Sequence, residues 1–279
     1  MPPLRITIDI FSGRPNPVIE LSGGAAREAR ARLGASRRSG PGRGVAPLLP
    51  TLGYRGLIVE GGDRPIRSLD PALEDFVCGS TGALRRLGLG RAFPDLLRKE
   101  VERFRDARRH WPRRPPRRWP ARLRCRCAPL YEPAWWNDGG LRQLRNNCYN
   151  YASNYRTDTF HQIPGGSQPG AAAGAMYTQL TCASVRPAAV ADGLISKPFA
   201  NNRCPAEGHL VALVIAPGID FHWYRKGRNG YWTHKPGTTP ATNLDNSVHL
   251  IADPRSADRG MYTQFCTFMV VMHGHIKIR

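Results

Sequence analysis

The sequence predicts an α+β protein: a small N-terminal α/β unit, then a larger unit in which one helix packs on an antiparallel sheet. Three observations carry this reading. Strand-like and helix-like patterns alternate over residues 1–106. A stretch dense in Arg and Pro, 107–130, interrupts them. Beyond it, over 131–279, one helical pattern precedes a series of strand patterns.

The elements follow in order. Leu4, Ile6, Ile8 and Ile10 alternate with Arg5, Thr7 and Asp9, the period of a half-buried strand. SGRPNP then breaks it with a Gly and two Pro. Residues 24–33 are helical by propensity, and 35–50 read as a Gly/Pro/Arg loop. YRGLIVE (54–60) reads as a strand, and Asp70 can cap a helix that starts at Pro71. Residues 94–109 place Leu97, Val101 and Phe104 on one helical face. Pro density in 107–130 blocks helix and central strand alike, so this stretch reads as an extended linker. A short helix is expected over Cys148–Tyr155, with Asn146 or Asn147 as its cap. Pro187 opens a further short helix that Gly193 ends. HLVALVIA (209–216) reads as a buried strand, IDFHWYR (219–225) and YWTHK (231–235) as a hairpin, and 265–271 and 275–279 as the last strands.

The net charge is +20, and residues 91–126 hold thirteen Arg and one Lys against four acidic residues, half of that excess. Such a segment favours an anionic partner, with Arg113, Arg114, Arg117 and Arg118 as the expected contacts; the competing reading is a solvated linker. Apolar residues make up 41% of the chain, enough for a core without disulfides. The seven cysteines, an odd number, cannot all pair internally. No window reaches the length of a spanning helix, and the first residues show no leader pattern. The expectation is a cytoplasmic protein with reduced thiols, export by another route being left open. Cys125 and Cys127 lack the spacing of a zinc site, and no metal or cofactor is expected.

LRNNCYNYASNY (144–155) is the stretch where chemistry is expected. A helix start favours a thiolate, so Cys148 qualifies as a nucleophile, and Gln143, Asn146 and Asn147 offer amides for an oxyanion. Cys148, Tyr151, Ala152 and Tyr155 also fall on one helical stripe, which makes the cysteine an equally good core residue. Three histidines downstream, His209, His222 and His234, could serve as base. A two-residue Asn229-Gly230 turn puts His222 and His234 on opposite faces. A three-residue Arg228–Gly230 loop pairs Tyr224 with His234 and puts the two histidines on one face.

CYNYA with Gln143 upstream resembles the nucleophile helix of papain-like cysteine peptidases, and HLVALV resembles the strand that begins with their catalytic His. The Gly-x-Cys-Trp core is absent, and Pro236 stands where the orienting Asn of papain would be. The order of residues is closer to the NlpC/P60 branch. The resemblance, confined to Gln143–Lys235, implies a papain-like fold and a thiol hydrolase, peptidase, amidase or acyl transferase, acting on an amide or ester. It implies Cys148 as nucleophile, His222 as base and His234 as orienting residue, with Asp245 as a second orienter, His209 as an alternative base, and Gln143 and Asn147 near the oxyanion. The alternative is a non-catalytic basic protein that binds nucleic acid or an acidic partner through the Arg/Pro segment.

Overall fold

The computed structural model describes residues 3–38, 49–61, 64–111, 125–161, 165–197 and 201–279. It is mixed α+β with two antiparallel sheets and a sheet-rich C-terminal region. Two compact units emerge: Met1–Ile10, Asn16–Leu48 and Gly53–Arg109 form the first; Phe11–Pro15, Leu49–Leu52 and His110–Arg279 form the second.

In the first unit, β1 (Leu4–Asp9) pairs with β2 (Val18–Leu21). The helix α1 (Gly23–Arg38) follows, then β3 (Gly56–Glu60), β4 (Ile66–Ser68), α2 (Pro71–Gly79), α3 (Thr81–Arg85) and α4 (Phe93–His110). The strand order is β2-β1-β3-β4. Ile6 faces Val59 and Ile8 faces Leu57, so the apolar phase of β1 meets that of β3. Leu97, Val101 and Phe104 of α4 are buried, and Asp70 accepts from the Leu73 N–H at 3.0 Å, capping α2 as expected. Asp9 departs from the half-buried pattern: it is fully buried. Arg55 binds one of its carboxylate oxygens at 2.7 Å and Arg67 the other at 2.8 Å. These two cations overcome the desolvation penalty and hold its pKa down at about 2.

The second unit contributes α5 (Pro133–Trp136), α6 (Leu141–Leu144), α7 (Cys148–Ser153) and α8 (Cys182–Ala191). Then come β5 (Ile195–Lys197), β6 (His209–Ala216), β7 (Asp220–Lys226), β8 (Trp232–His234) and β9 (Gln264–Val271), in sheet order β5-β9-β6-β7-β8. Every residue of β6 is buried because β7 and β9 flank it, which explains its unbroken apolar run. α7 packs on β7, and Cys148, Tyr149 and Ala152 join Val211, Leu213, Trp223 and Met269 in one core, whereas Tyr151 of the expected stripe lies with Trp136 and Ala241 and Tyr155 is exposed beyond the helix.

Tyr224 pairs with His234, and Gly227 N–H donates to Tyr231 O at 2.8 Å with Gly230 at φ +82°. The loop therefore takes the three-residue form. The helix expected from Pro187 begins earlier, at Cys182, and carries Pro187 inside it. Its start is tied to β9 by a Cys182–Cys266 disulfide, a constraint that spacing alone does not reveal. Residues 275–279 form no strand: Ile276 and Ile278 are buried, but Lys277 N–H bonds Asp192 O and Arg279 O accepts from Ser167 N–H, so the backbone partners are loops.

Of the Arg/Pro stretch, 112–124 lies outside the described residues, and Arg113, Arg114, Arg117 and Arg118 with it. Residues 125–128 form a turn closed by Ala128 N–H to Cys125 O at 3.1 Å. A second disulfide joins Cys125 to Cys204. Two disulfides contradict the expectation of reduced thiols.

Candidate functional site

Asn147 caps α7 through a reciprocal box. Its Oδ1 accepts from Tyr149 N–H and Asn150 N–H, while Asn150 Oδ1 accepts from Asn147 N–H at 3.1 Å. Its amide nitrogen donates to Gly13 O and Ser167 O, each at 2.8 Å. The cap thus also fastens the SGRPNP loop to the helix. Cys148 follows as the first helical residue and is 0% exposed.

A helix N-terminus favours a thiolate, but burial wins here. Desolvation, then the nearby Asp220 charge, pushes the Cys148 thiol up to about 12, although the Ser12 hydroxyl and the backbone N–H of Trp223 pull the other way. At pH 7 only roughly one part in 10^5 is thiolate. Of the two readings of Cys148, this burial supports the core residue.

The hairpin brings His222 and His234 together, with His222 Nε2 at 3.0 Å from His234 Nδ1. The remaining ring nitrogens fix the proton order. His234 Nε2 lies 3.0 Å from the Leu244 carbonyl, which can only accept, so Nε2 carries the proton. Burial pushes His234 down to about 4, so it is neutral at pH 7 and its Nδ1 accepts. His222 therefore donates from Nε2. In its neutral form its Nδ1 accepts from the Ser12 hydroxyl at 2.5 Å, and Ser12 Oγ in turn accepts from Gly237 N–H at 3.2 Å. The chain runs from Ser12 through both histidines to a backbone carbonyl. His234 hydrogen-bonds His222 on one side, and on the other His222 faces Ser12 through a hydrogen bond that sequence reasoning missed.

The other candidates are likewise engaged with backbone. Gln143 accepts from Gly139 N–H and donates to Thr238 O, both at 3.3 Å. Asn146 donates to Arg142 O and Asp158 and accepts from Thr157 and Asp158 N–H. Both N–H groups of the Asn146 and Asn147 amides are thus committed to protein acceptors. Asp245 accepts from the N–H groups of Ser247, His249 and Asp258, organising its own loop rather than orienting His234. His209 donates from Nε2 to Ala152 O at 2.7 Å, and burial pushes it down to about 3, which makes it a poor base.

Asp220 and Lys235 were not foreseen. Asp220, raised by burial to about 6, accepts from Ser12 N–H, Gly13 N–H and Tyr262 OH. Lys235 Nζ donates to the carbonyls of Gln143, Asn146 and Gly237. Their signal lay in IDFH and THKPG, where a charge sits in an otherwise apolar or turn context. A cleft of about 660 Å³ lies nearby, lined by Arg14, Gln168, Tyr177 and Thr181 among others, and Ser12, Cys148, His222 and His234 are not in its wall. A centre whose polar atoms bind backbone and whose side chains are buried holds structure; it does not present a nucleophile to a substrate.

No protein-family model matches the chain, and no solved structure matches it. It is 44% identical over 147 residues to "Insoluble matrix shell protein 1" of Ruditapes philippinarum, a match covering 91% of that protein and 52% of this chain. The chain belongs to the family of this shell matrix protein.

Family membership overturns the resemblance to papain-like peptidases, and with it the thiol hydrolase and its amide or ester substrate. The short motif CYNYA matched because a capped helix with an aromatic stripe needs similar residues whether or not its cysteine reacts. The cytoplasmic expectation falls too, since the relative is a shell matrix protein and this chain carries two disulfides. The nucleic-acid alternative fits this family no better. Among the described residues, no helix is long and apolar enough to cross a membrane.

Proposed function

We propose that the protein is a secreted, non-catalytic structural component of an insoluble extracellular matrix of the shell type. The observation that carries this is the 44% identity spanning 91% of the shell matrix relative. Two features of the chain support it. The Cys125–Cys204 and Cys182–Cys266 disulfides suit an oxidising compartment. The Cys148–Ser12–His222–His234 centre serves to fix the register of α7, the 11–15 loop and the β7–β8 hairpin. The basic segment 91–126, with Arg113, Arg114, Arg117 and Arg118, then acts as a contact for an anionic matrix component. In this reading residues 1–106 and 131–279 supply most of two packed parts, with 11–15 and 49–52 belonging to the second, and the stretch 107–130 runs between them.

The test is fractionation. An antibody to the chain, applied to the producing tissue's hard matrix after demineralisation with EDTA, is expected to find it in the residue that resists salt and detergent. Recovery from soluble cell extract alone would overturn the reading.

A further inference from the structure

The two disulfides leave three cysteines, and these differ sharply. Cys78 and Cys148 are buried, their thiols pushed up to about 11 and about 12. Cys127 is exposed. It occupies the third position of the 125–128 turn, two residues after Cys125 of the Cys125–Cys204 disulfide. Its sulfur lies 3.5 Å from Ala206 O, two residues beyond Cys204. The turn is firmly held: Cys125 N–H donates to Arg228 O and Arg228 N–H to Pro129 O, each at 3.0 Å. The second unit thus carries an exposed free thiol close in the chain, and through Ala206, to both ends of a disulfide.

We propose that this cluster joins copies of the chain covalently by thiol–disulfide exchange, Cys127 of one copy attacking the Cys125–Cys204 bridge of a second copy. The proposal rests on the matrix reading for its extracellular setting and gives a route to insolubility. Cys127 loses its proton to solvent, and its sulfur forms a new bond to the Cys204 sulfur. The old bond breaks with its electron pair on Cys125, which takes up a proton. One thiol enters and one leaves, so no oxidant is needed. Cys204 is the sulfur attacked because it is half-buried while Cys125 is 2% exposed. The other bridge is a poorer target, since Cys182 and Cys266 lie in a helix and a strand and pack against the core.

The geometry also sets the product. Each copy carries one attacking thiol and one acceptor disulfide, and after being attacked it still holds its own Cys127. Linkage is therefore head-to-tail and continues, whereas direct Cys127–Cys127 pairing would need an oxidant and stop at a dimer.

The experiment mixes the full, oxidised chain at natural isotope abundance with the same chain labelled with 15N, without added oxidant and under nitrogen. A reducible ladder on non-reducing gels is expected, with peptides joining Cys127 of one label to Cys204 of the other. Cys127→Ser is expected to keep both disulfides and the monomer's circular dichroism while ladder formation falls by roughly tenfold or more. A ladder that persists in Cys127→Ser would overturn the proposal. So would wild-type chain that yields no mixed-label Cys127 peptide, or Cys127 bonded only within its own copy. A chain retained in demineralised matrix but free of such peptides would sink this proposal and leave the matrix reading standing.

Discussion

Ser12, His222 and His234 show how a residue's neighbours decide its chemistry. In water a serine hydrogen-bonded to a histidine pair would look poised for proton transfer; here all three are 0% exposed and the chain ends on Leu244 O. The same burial makes stability depend on pH. His209 and His234 have folded pKa values near 3 and 4, below the ordinary 6.5. Their contribution is complete above 6.5 and is lost as pH falls toward 4 and 3. Asp220 has the opposite sign: raised from 3.8 to about 6, its contribution is complete below 3.8 and lost as pH rises through 6. Asp192, also raised by burial, acts with Asp220. The two histidine shifts are the larger, so lowering the pH from 7 to 4.5 is expected to destabilise the fold by roughly 3 kcal/mol at most. Urea midpoints across that range check this, and His209→Gln should flatten the slope. Stability that climbs steadily toward pH 4.5 would show that the carboxylates dominate.

At the scale of elements, α7 has six residues and cannot hold itself together by propensity. Its cap and its packing on β7 must do so. Asn147→Ala removes the cap and leaves Gly13 O and Ser167 O without that donor. A loss of about 2–4 kcal/mol is expected from a urea titration; a change under about 0.5 kcal/mol would mean the helix is held by packing alone. The start of this helix was legible because an Asn cap before an aromatic stripe is a local signal. So was β6, whose apolar run is unbroken, but not the hairpin register, because Asn229-Gly230 suits a two-residue turn as well as Gly230 suits the three-residue loop. What stayed hidden is non-local. The bond from Ser12 to His222 joins residues 210 apart, and the pairing of Cys182 with Cys266 closes a separation of 84. The edge strands β2, β4 and β5 have three or four residues each, too few to show a period. The core reading of Cys148 was open in the sequence, but the full burial of His222 and His234 was not visible there, and burial is what turns a Cys-His-His pattern into a structural centre.

For the whole molecule, the interleaving of the two units matters more than the basic stretch between them. Residues 11–15 come early in the chain yet belong to the second unit. Ser12 and Gly13 supply bonds to His222, Asp220, Asn147 and Gln168 there. Trypsin is expected to cut first among Arg108–Arg126, where Pro and Arg are densest. The cut should not release two independent pieces, because the N-terminal fragment carries a segment that fills the C-terminal unit. Native size-exclusion chromatography should show the nicked protein eluting as one species, which denaturant then separates. A fragment of residues 125–279, which keeps the Cys125–Cys204 disulfide, should unfold at lower urea than the same unit in the intact chain, since Asp220 and Asn147 would face partners that are no longer there. Equal midpoints for the two, or fragments that part without denaturant, would mean that 11–15 only rests on the second unit and that the division falls cleanly at the basic stretch.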